Sequence, residues 1–414
     1  MTLLSKVGSF QTGTGTSNIP VTGLGFQPKA VIFYAAKQTG DGQGAAGHMC
    51  IGFATSSTER GCARIRSGDN QASSSVSSII RNDACWTIDL DGGGVSGILD
   101  FVSMDSDGFT VIPDDGFSGD LRIFYLALGG DSLTNAQVVT GNLTTGAGVQ
   151  AIVSGLAFQP DTVFAISTGG ATFNSSGGVA NLVFGAARSA TENGCVAMLS
   201  ESTANPADTR SIIRDDAFLF WPSTSSNSIR VNVDFSAFTS DGFSIDKVQT
   251  DNAALAIVFL CLKGISAKIG TVAAKTTTGT TPVTGVGFKP SAVILASNNM
   301  STTIPTNPTP GADMMFGAAS AAAVRGSCWV GDPDGITPTD NQNRNDSGRL
   351  WIDYDISTPF AVQGEADIQT FDSGGYTLNT PTAFPAANLA LSIALGPAAA
   401  AAPAGKVRIV GALA

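Results

Sequence analysis

The sequence predicts an all-β protein made of three tandem homologous β-sandwich domains, jelly-roll-like in type and about 130 residues each. Two observations predict this fold class. A phrase typical of a buried strand occurs three times at nearly constant spacing, and the composition is that of a protein rich in turns. Of the 414 residues, 49 are glycine and 18 are proline, while only 13% are charged.

The repeated phrase reads GLGFQPKAVIF from Gly23, GLAFQPDTVFA from Gly155 and GVGFKPSAVIL from Gly285. Its proline cannot donate to a sheet ladder, so it suits the start of a strand. The valines and isoleucines that follow favour a buried strand. The phenylalanines are 132 and 130 residues apart, which is the length of a domain rather than of a solenoid repeat. The signature residues are Phe26, Pro28, Phe158, Pro160, Phe288 and Pro290.

The copies also share later motifs in the same order. These are a cysteine column (Cys62, Cys195 and Cys328), an Arg-Asn/Asp-Asp step, an aspartate column (Asp100, Asp234 and Asp367) and a hairpin phrase such as DSDGFTV. An apolar strand closes each copy. The repeats predict domains at 1–132, 133–265 and 266–397, followed by an Ala/Pro-rich tail with a terminal strand at 398–414.

Within the first domain, short apolar runs separated by turns predict about eight strands and no helix. Asp107-Gly108 between two alternating runs indicates a two-residue hairpin. The runs lie at 10–22, 30–35, 48–55, 62–67, 77–80, 84–90, 97–102, 109–112 and 121–128.

Charge excludes several classes of partner. Lys plus Arg number 22 against 33 for Asp plus Glu, so the net charge is −11. Without basic runs, such a chain is not expected to bind nucleic acid. No apolar run approaches the roughly 20 residues of a membrane helix, so no membrane association is expected. The N-terminus lacks the apolar core of a signal peptide, which predicts synthesis in a cytoplasm.

Catalytic and metal chemistry have little support in the sequence. His48 is the single histidine, it has no counterpart in the other copies, and no GxSxG elbow accompanies it. There is no CxxC pair, and the six cysteines are expected to be buried free thiols. We therefore expect no enzyme, no catalytic residue, no metal and no cofactor.

The Arg-Asn/Asp-Asp column is the strongest candidate for an interaction site. It comprises Arg81, Asp83, Arg214, Asp216, Arg344 and Asp346. These residues could bind a sugar or a cation. The structural alternative is a turn in which the aspartate caps backbone amides and the arginine pairs with a carboxylate. The aspartate column is expected to face solvent and to keep the strand surface soluble.

A second candidate is the end of the chain. The segment 396–405 has the composition of an extended spacer, and KVRIVGALA follows it. A tethered strand of this kind can add to the edge of a neighbouring sheet, with Val407, Ile409 and Val410 as the docking residues. The alternative is a strand that pairs with its own domain.

The G-[LV]-x-F-x-P-x-x-V phrase, the [ST]-[DG]-G-[FY] hairpin, the low charge and the Thr/Gly-rich turns resemble the β-sandwich modules of tailed-bacteriophage structural proteins. Such modules occur in tail, fibre and head-decoration components. The resemblance implies a non-enzymatic protein on the virion exterior that packs against capsid, tail or fibre subunits. It supplies no catalytic residue.

Three similar domains could occupy a three-fold position alone, as a single-chain pseudo-trimer, or the chain could form a homotrimer. The alternative function is a glycan-binding adhesin that recognises the host envelope. That alternative requires exposed Trp or Tyr beside Asp or Asn, because sugars stack on aromatic rings; the chain has 4 Trp and 4 Tyr.

Overall fold

The structure is a computed structural model that describes residues 1–89, 95–224, 227–249, 254–299, 301–356 and 361–398. These residues form 33 strands and no helix, so the all-β prediction is confirmed. No helix long and apolar enough to span a membrane is found in them. The predicted docking residues Val407, Ile409 and Val410 lie outside the described residues.

The strands fall into three sets of eleven in chain order, where about eight per domain were expected. The first set is β1 (Leu4–Gln11), β2 (Ile19–Thr22), β3 (Pro28–Ala35), β4 (Gly42–Ala45), β5 (Gly47–Ala54), β6 (Arg60–Ser67), β7 (Val76–Arg81), β8 (Trp86–Asp89), β9 (Val95–Asp105), β10 (Gly108–Asp115) and β11 (Arg122–Gly129). The second set is β12 (Asn135–Leu143), β13 (Gly148–Val153), β14 (Thr162–Ser167), β15 (Ser175–Gly177), β16 (Val179–Ser189), β17 (Glu192–Glu201), β18 (Thr209–Arg214), β19 (Leu219–Pro222), β20 (Ile229–Thr239), β21 (Gly242–Gln249) and β22 (Leu255–Lys263). The third set is β23 (Ile265–Ala273), β24 (Gly279–Val283), β25 (Ala292–Ser297), β26 (Thr309–Pro310), β27 (Ala312–Ala321), β28 (Val324–Asp332), β29 (Gln342–Asp346), β30 (Trp351–Asp355), β31 (Ala361–Asp372), β32 (Gly375–Thr382) and β33 (Leu389–Pro397).

Among the described residues each set forms one large and one small sheet, and the last strand of each large sheet comes from another set. The large sheets have the orders β1-β11-β3-β5-β6-β7-β15, β12-β22-β14-β16-β17-β18-β26 and β23-β33-β25-β27-β28-β29-β4. The small sheets have the orders β2-β10-β9-β8, β13-β21-β20-β19 and β24-β32-β31-β30. The same order therefore occurs three times.

This order corrects the predicted jelly-roll-like arrangement. Strands β5, β6 and β7 are neighbours in sequence order, and so are β8, β9 and β10. These are meanders, whereas a jelly roll is built from two Greek keys. The large and small sheets nevertheless share a hydrophobic core, so the packing is that of a β-sandwich.

Strand β3 shows why the signature run is apolar throughout. Val31 and Phe33 lie in the core between the first large and small sheets. Ile32 and Tyr34 alternate with them and lie in a second, larger core. Because successive side chains of a strand point to opposite faces, a strand buried on both faces needs a continuous apolar run.

The larger core contains residues of all three strand sets, and we call it the shared core. The ring of Phe316 lies 5.0 Å from that of Tyr34 and 4.9 Å from that of Phe184, measured between centroids. Each of these three aromatic residues belongs to a different set. The outer faces of the three large sheets pack on their own small sheets, which leaves their inner faces to meet one another.

The signature residues occupy matching environments. Phe26, Phe158 and Phe288 are partly buried, and each packs against the sandwich core of its own set. The prolines two residues later are buried in all three sets: Pro28, Pro160 and Pro290. Only Pro28 begins a strand as assigned; the other strands begin two residues after the proline, at Thr162 and Ala292.

The hairpin phrase contacts the signature phrase. Oδ1 of Asp107 accepts a hydrogen bond of 2.6 Å from the amide of Gly25, and Oδ2 accepts one of 3.1 Å from Gly23. Asp241 accepts one from Gly155 at 3.2 Å. Both Gly23 and Gly25 have positive φ, at 83° and 81°, which favours glycine. The two motifs therefore form one unit in space.

Cys328 is a correction to the predicted cysteine column. Cys62 lies opposite Gly52 and Cys195 opposite Gly185, and both thiols face the sandwich cores. In the third set Ser327 holds the equivalent place opposite Gly317. Cys328 is one residue further on and lies in the shared core. A one-residue shift in a strand places the side chain on the other face.

Candidate functional site

Strand exchange joins the three sets in a closed ring. The short strand β15 pairs with β7 of the first set, β26 pairs with β18 of the second, and β4 pairs with β29 of the third. Each set thus supplies the last strand of another set's large sheet. We call these three pairings the exchange junctions.

The predicted Arg-Asp column lies at the ends of the strands that accept the exchanged segments. Nε and Nη2 of Arg81 donate to the two carboxylate oxygens of Asp83, each at 2.9 Å. Arg214 makes the same two-bond pair with Asp216, at 2.7 Å for each bond. Such parallel bonds fix the guanidinium in one orientation. These arginines therefore pair with the carboxylate two residues away.

Residues of this column also contact the neighbouring set. Nη1 of Arg214 donates to the carbonyl oxygen of Pro305 at 3.2 Å. The amide of Asn82 donates to Oδ1 of Asn174, and Nδ2 of Asn174 donates to Oδ1 of Asn82 at 2.8 Å. The column consequently lies beside two exchange junctions, with the Arg81 and Arg214 side chains largely buried and the Asp83 and Asp216 carboxylates exposed.

In the third set the column is out of register by two residues. Cys62 pairs with Arg81 and Cys195 with Arg214, but Ser327, which is equivalent to these cysteines, pairs with Asp346. Arg344 instead pairs with Trp329, and its guanidinium lies 5.3 Å from the ring centre of Tyr354. Nη2 of Arg344 still donates to Oδ2 of Asp346 at 2.7 Å. The three arginines are nearly the same number of residues after the signature phenylalanine because insertions and deletions between them cancel in length, although the strand pairing differs.

The aspartate column is less exposed than predicted: Asp367 is buried, and Asp100 and Asp234 are partly buried. Asp100 accepts from Nε of Arg60 at 3.2 Å, and Asp367 pairs with Nε of Arg325 at 2.8 Å. Burial raises the pKa of Asp100, against the effect of Arg60, and raises the pKa of Asp367 in the same way. In the second set Asn193 stands where the other sets have Arg60 and Arg325. Sequence reasoning missed this arginine because only two copies have it.

A further ring of contacts uses the first strand of each set. The hydroxyl of Thr55, in the first set, accepts a hydrogen bond of 3.0 Å from the amide of Val138. The hydroxyl of Ser320, in the third set, likewise accepts a hydrogen bond of 2.9 Å from the amide of Val7. At the remaining contact, Nζ of Lys268 donates to Oε1 of Glu192 at 2.7 Å. The three sets are therefore connected by two equivalent amide–hydroxyl hydrogen bonds and, at the third position, by the Lys268–Glu192 ion pair.

Three loops interlock at one end of the shared core. They are residues 68–75, 202–208 and 333–341. Asn70 donates its amide to the carbonyl of Thr339 at 2.7 Å, and Ser74 donates to that of Ala204 at 2.9 Å. Ala207 completes the ring by donating to Ile336 at 3.0 Å. Each loop therefore binds both of the others.

A buried carboxylate lies beside these loops. Ser67, Ser200 and Asp332 stand at the ends of the equivalent strands β6, β17 and β28, and all three are buried. The hydroxyl of Ser67 donates a short hydrogen bond to Oδ2 of Asp332. Burial raises the pKa of Asp332 to about 6, although bonding to Ser200 and Ser67 acts in the opposite direction. Oδ2 of this carboxyl group has thus exchanged water for the hydroxyl group of Ser67, whereas its Oδ1 has no hydrogen-bond partner among the described residues.

The residues with catalytic chemistry are enclosed. His48 is 2% exposed and stands second in β5. The six cysteines are free and buried, as predicted, and burial raises the pKa of the Cys195, Cys261 and Cys328 thiols. Within the described ranges there is no group of three or more His, Cys, Asp or Glu side chains that could hold a metal.

The aromatic residues that a glycan platform would need are also inside. The four tryptophans and four tyrosines all lie among the described residues, and none is more than 5% exposed. They are Trp86, Trp221, Trp329, Trp351, Tyr34, Tyr125, Tyr354 and Tyr376. No Trp or Tyr ring is therefore exposed for a sugar to stack on.

A comparison with protein-family models finds no match, and a comparison with curated proteins finds no significant relative. Nothing in these comparisons links the chain to bacteriophage structural proteins.

Proposed function

We propose that the chain is a non-enzymatic structural protein whose three homologous β-sandwich domains form a single-chain pseudo-trimer. The observation that carries this proposal is the closed ring of exchanged strands β15, β26 and β4. In a homotrimer, three copies would exchange such strands under exact symmetry. Here covalent linkers join the three units, so one copy of the chain completes the ring.

The shared core supports the same proposal. Its residues come from all three sets, so no set could leave the others without exposing a large apolar surface to water. Interfaces of this kind resemble a domain core and are typical of permanent assemblies. A unit held in this way is rigid, which suits a protein that works by packing against neighbours.

The virion exterior is the setting that we propose for this scaffold. Its basis is the resemblance of the repeated phrase and hairpin to phage sandwich modules, together with the low charge and acidic balance of the chain. Partners would be capsid, tail or fibre subunits. A pseudo-trimer suits a position of three-fold symmetry, where it would present three similar but unequal faces.

Two measurements test the proposal. Light scattering of the purified chain should give one copy of 42.0 kDa, whereas a mass of three copies would contradict the pseudo-trimer. Peptide mass spectrometry of purified particles from a lysate that expresses the chain should find it at a fixed ratio to the major capsid protein. Its removal with the unassembled fraction would contradict the virion assignment while leaving the pseudo-trimer intact.

The adhesin alternative loses the support it required. With every Trp and Tyr buried, a sugar could be held only by polar side chains and backbone groups.

A further inference from the structure

Three buried asparagines line up where the third set accepts strand β4 from the first. Asn343 and Asn345 are in β29 and Asn341 immediately precedes it, so the three side chains alternate along the strand and share one face. All three are 0% exposed. We call them the asparagine face. Because a buried amide is costly unless it is hydrogen-bonded, this face needs a polar partner.

The first set supplies that partner. Oδ1 of Asn345 accepts from the amide of Ala36 at 2.8 Å, and Nδ2 donates to the carbonyl oxygen of the same residue at 3.4 Å. Oδ1 of Asn343 accepts from Nε2 of Gln38 at 2.7 Å, and its Nδ2 donates to the carbonyl oxygen of Ala46 at 2.5 Å. The asparagine face therefore binds the chain on both sides of β4, and it does so mainly through backbone groups.

Asn341 extends these contacts to the end of β6. Its Nδ2 donates to Oγ of Ser67 at 2.8 Å and to the carbonyl oxygen of Gly68 at 2.7 Å. The first and third sets are not consecutive in the chain, whereas residues 130–134 join the first set to the second and Gly264 joins the second to the third. Side-chain hydrogen bonds thus hold together the two sets that no short linker joins.

The accepting strands of the other two sets have different residues at these positions. With Ser327 aligned to the cysteines as above, isoleucines occupy the place of Asn345, namely Ile80 and Ile213. Serines occupy the place of Asn343, namely Ser78 and Ser211. Both isoleucines lie in the shared core. The asparagine face is therefore specific to the third set and is not a requirement of the exchanged-strand fold.

The arriving segments differ in a complementary way. The residues opposite the aligned glycines of the three sets are Phe33, Ala165 and Leu295. Three positions later the equivalent residues are Ala36, Thr168 and Asn298. At the junction with Ile213 the arriving segment has Asn298, whose Nδ2 donates to Oγ of Ser211 at 3.5 Å. At the junction with Asn345 it has Ala36. The amide is thus on the arriving side of one junction and on the accepting side of the other.

We propose that the asparagine face is a recognition surface for residues 36–46 of the first set, and that it directs this segment to β29 rather than to another accepting strand. Ladder hydrogen bonds between backbones are alike for every pair of strands, so they do not distinguish the three arriving segments. A wrong pairing would bury the amide of Asn345 or of Asn298 without its partners, which disfavours it. This inference rests on the pseudo-trimer of the proposed function and adds what fixes the order of its exchanged strands.

The test is hydrogen exchange of the full chain, read by mass spectrometry at residues 36–46. Asn345→Ile installs the residue of the other two junctions, and it should speed exchange of this segment by about tenfold or more because the amide of Ala36 loses its acceptor. Asn343→Ser is a milder change of the same kind and should act in the same direction. Adding Ala36→Asn to Asn345→Ile copies the pair of the second junction and should restore slow exchange.

The matched control is Ile213→Ala, which removes shared-core packing at the equivalent place in the second set. It should speed exchange in β18 and leave residues 36–46 as they are in the unchanged chain. Equal acceleration of 36–46 by Ile213→Ala and by Asn345→Ile would indicate general loosening and overturn the proposal. A failure of Ala36→Asn to restore slow exchange would overturn it as well. Light scattering of the unchanged chain decides the pseudo-trimer separately, since a mass of three copies would contradict the proposed function whatever the exchange rates are.

Discussion

Ser67 donates a hydrogen bond to Asp332 across 265 positions of the chain, and thereby ties the first strand set to the third at one end of the shared core. The Asp332 carboxyl group has little water around it, and its pKa is raised to about 6. An unfolded chain would return this pKa to roughly 3.9. Burial of this carboxyl group therefore makes the stability of the fold depend on pH.

Stability should fall as pH rises from about 4 to 6 through this one group, because the folded state holds a proton that the unfolded state has released. The loss should approach about 3 kcal/mol and level off about one unit above the folded pKa, near pH 7. Asp332→Asn should remove this dependence. The measurement is urea unfolding of both proteins at several pH values, compared as a difference so that other carboxylates cancel. A constant difference across pH 4 to 7 would contradict the assignment.

Asp353 should show the same behaviour over a wider range. Burial raises its pKa to about 7, with a hydrogen bond from Asn388 acting in the opposite direction. The free energy difference between Asp353→Asn and the unchanged chain should therefore keep changing up to about pH 8, one unit beyond that of Asp332→Asn. Identical profiles for the two variants would show that the two carboxyl groups are not distinguished by their surroundings.

Asp107→Gly should lower the free energy of unfolding by about 1 kcal/mol, because the amides of Gly23 and Gly25 lose their acceptor. The third set provides the matched experiment, since Gly374 occupies the place of Asp107 there. Gly374→Asp should stabilise the chain by up to about 1 kcal/mol. Chemical denaturation measures both. Equal and opposite signs support the contact, whereas destabilisation by both would indicate that the third turn has a different geometry.

Asp41→Ala should loosen the junction between the first and third sets. This carboxylate accepts from the amide and hydroxyl of Ser347, at 2.8 and 2.6 Å, and from Arg122 at 2.8 Å. We expect faster proteolysis around residues 39–46 and a loss of about 1 kcal/mol. Asp115→Ala, which removes an exposed carboxylate at the end of β10, is the control and should change neither. Unchanged proteolysis in Asp41→Ala would show that β4 is held by its ladder bonds alone.

The shared core predicts that the whole chain unfolds in one transition. Phe316 lies between Tyr34 and Phe184, so Phe316→Ala should cost about 3–5 kcal/mol and lower that single transition. Phe101→Ala, which opens the core of one sandwich only, should lower the same transition rather than create a second one. Calorimetry distinguishes the cases through the ratio of calorimetric to van't Hoff enthalpy. Separate transitions for the unchanged chain would mean that the three units are only loosely coupled.

The signature phrase and the hairpin phrase could be found from sequence because both depend on local requirements. Gly23 and Gly25 need positive φ, and Phe109 must alternate into a core; such needs leave a pattern in the residues themselves. The hairpin was predicted, but its two-residue loop is Ser106-Asp107, since Asp105 pairs with Gly108. Turn residues fix the place of a hairpin to within a residue, while pairing fixes its register.

Register is also where the predicted columns failed. Arg344 and Cys328 keep the sequence spacing of their counterparts, yet one is displaced by two residues and the other by one. The sequence spacing between two motifs includes the lengths of all loops between them. An insertion in one loop and a deletion in another can therefore leave the spacing unchanged while the strand register shifts. Only the partner strand shows which residues are opposite each other.

The sequence by itself determined the strand-forming segments, the period of the repeat and the buried, free state of the cysteines, because propensity, turn chemistry and burial act within a few residues. The tertiary structure alone decided that the three large sheets share one core. It also decided that the ring is closed by three short strands without an apolar pattern, whose sequences are GQGA, SSG and TP. Those short segments have no apolar pattern, since what holds them is the backbone edge of a neighbouring sheet, and backbone groups are the same in every residue but proline.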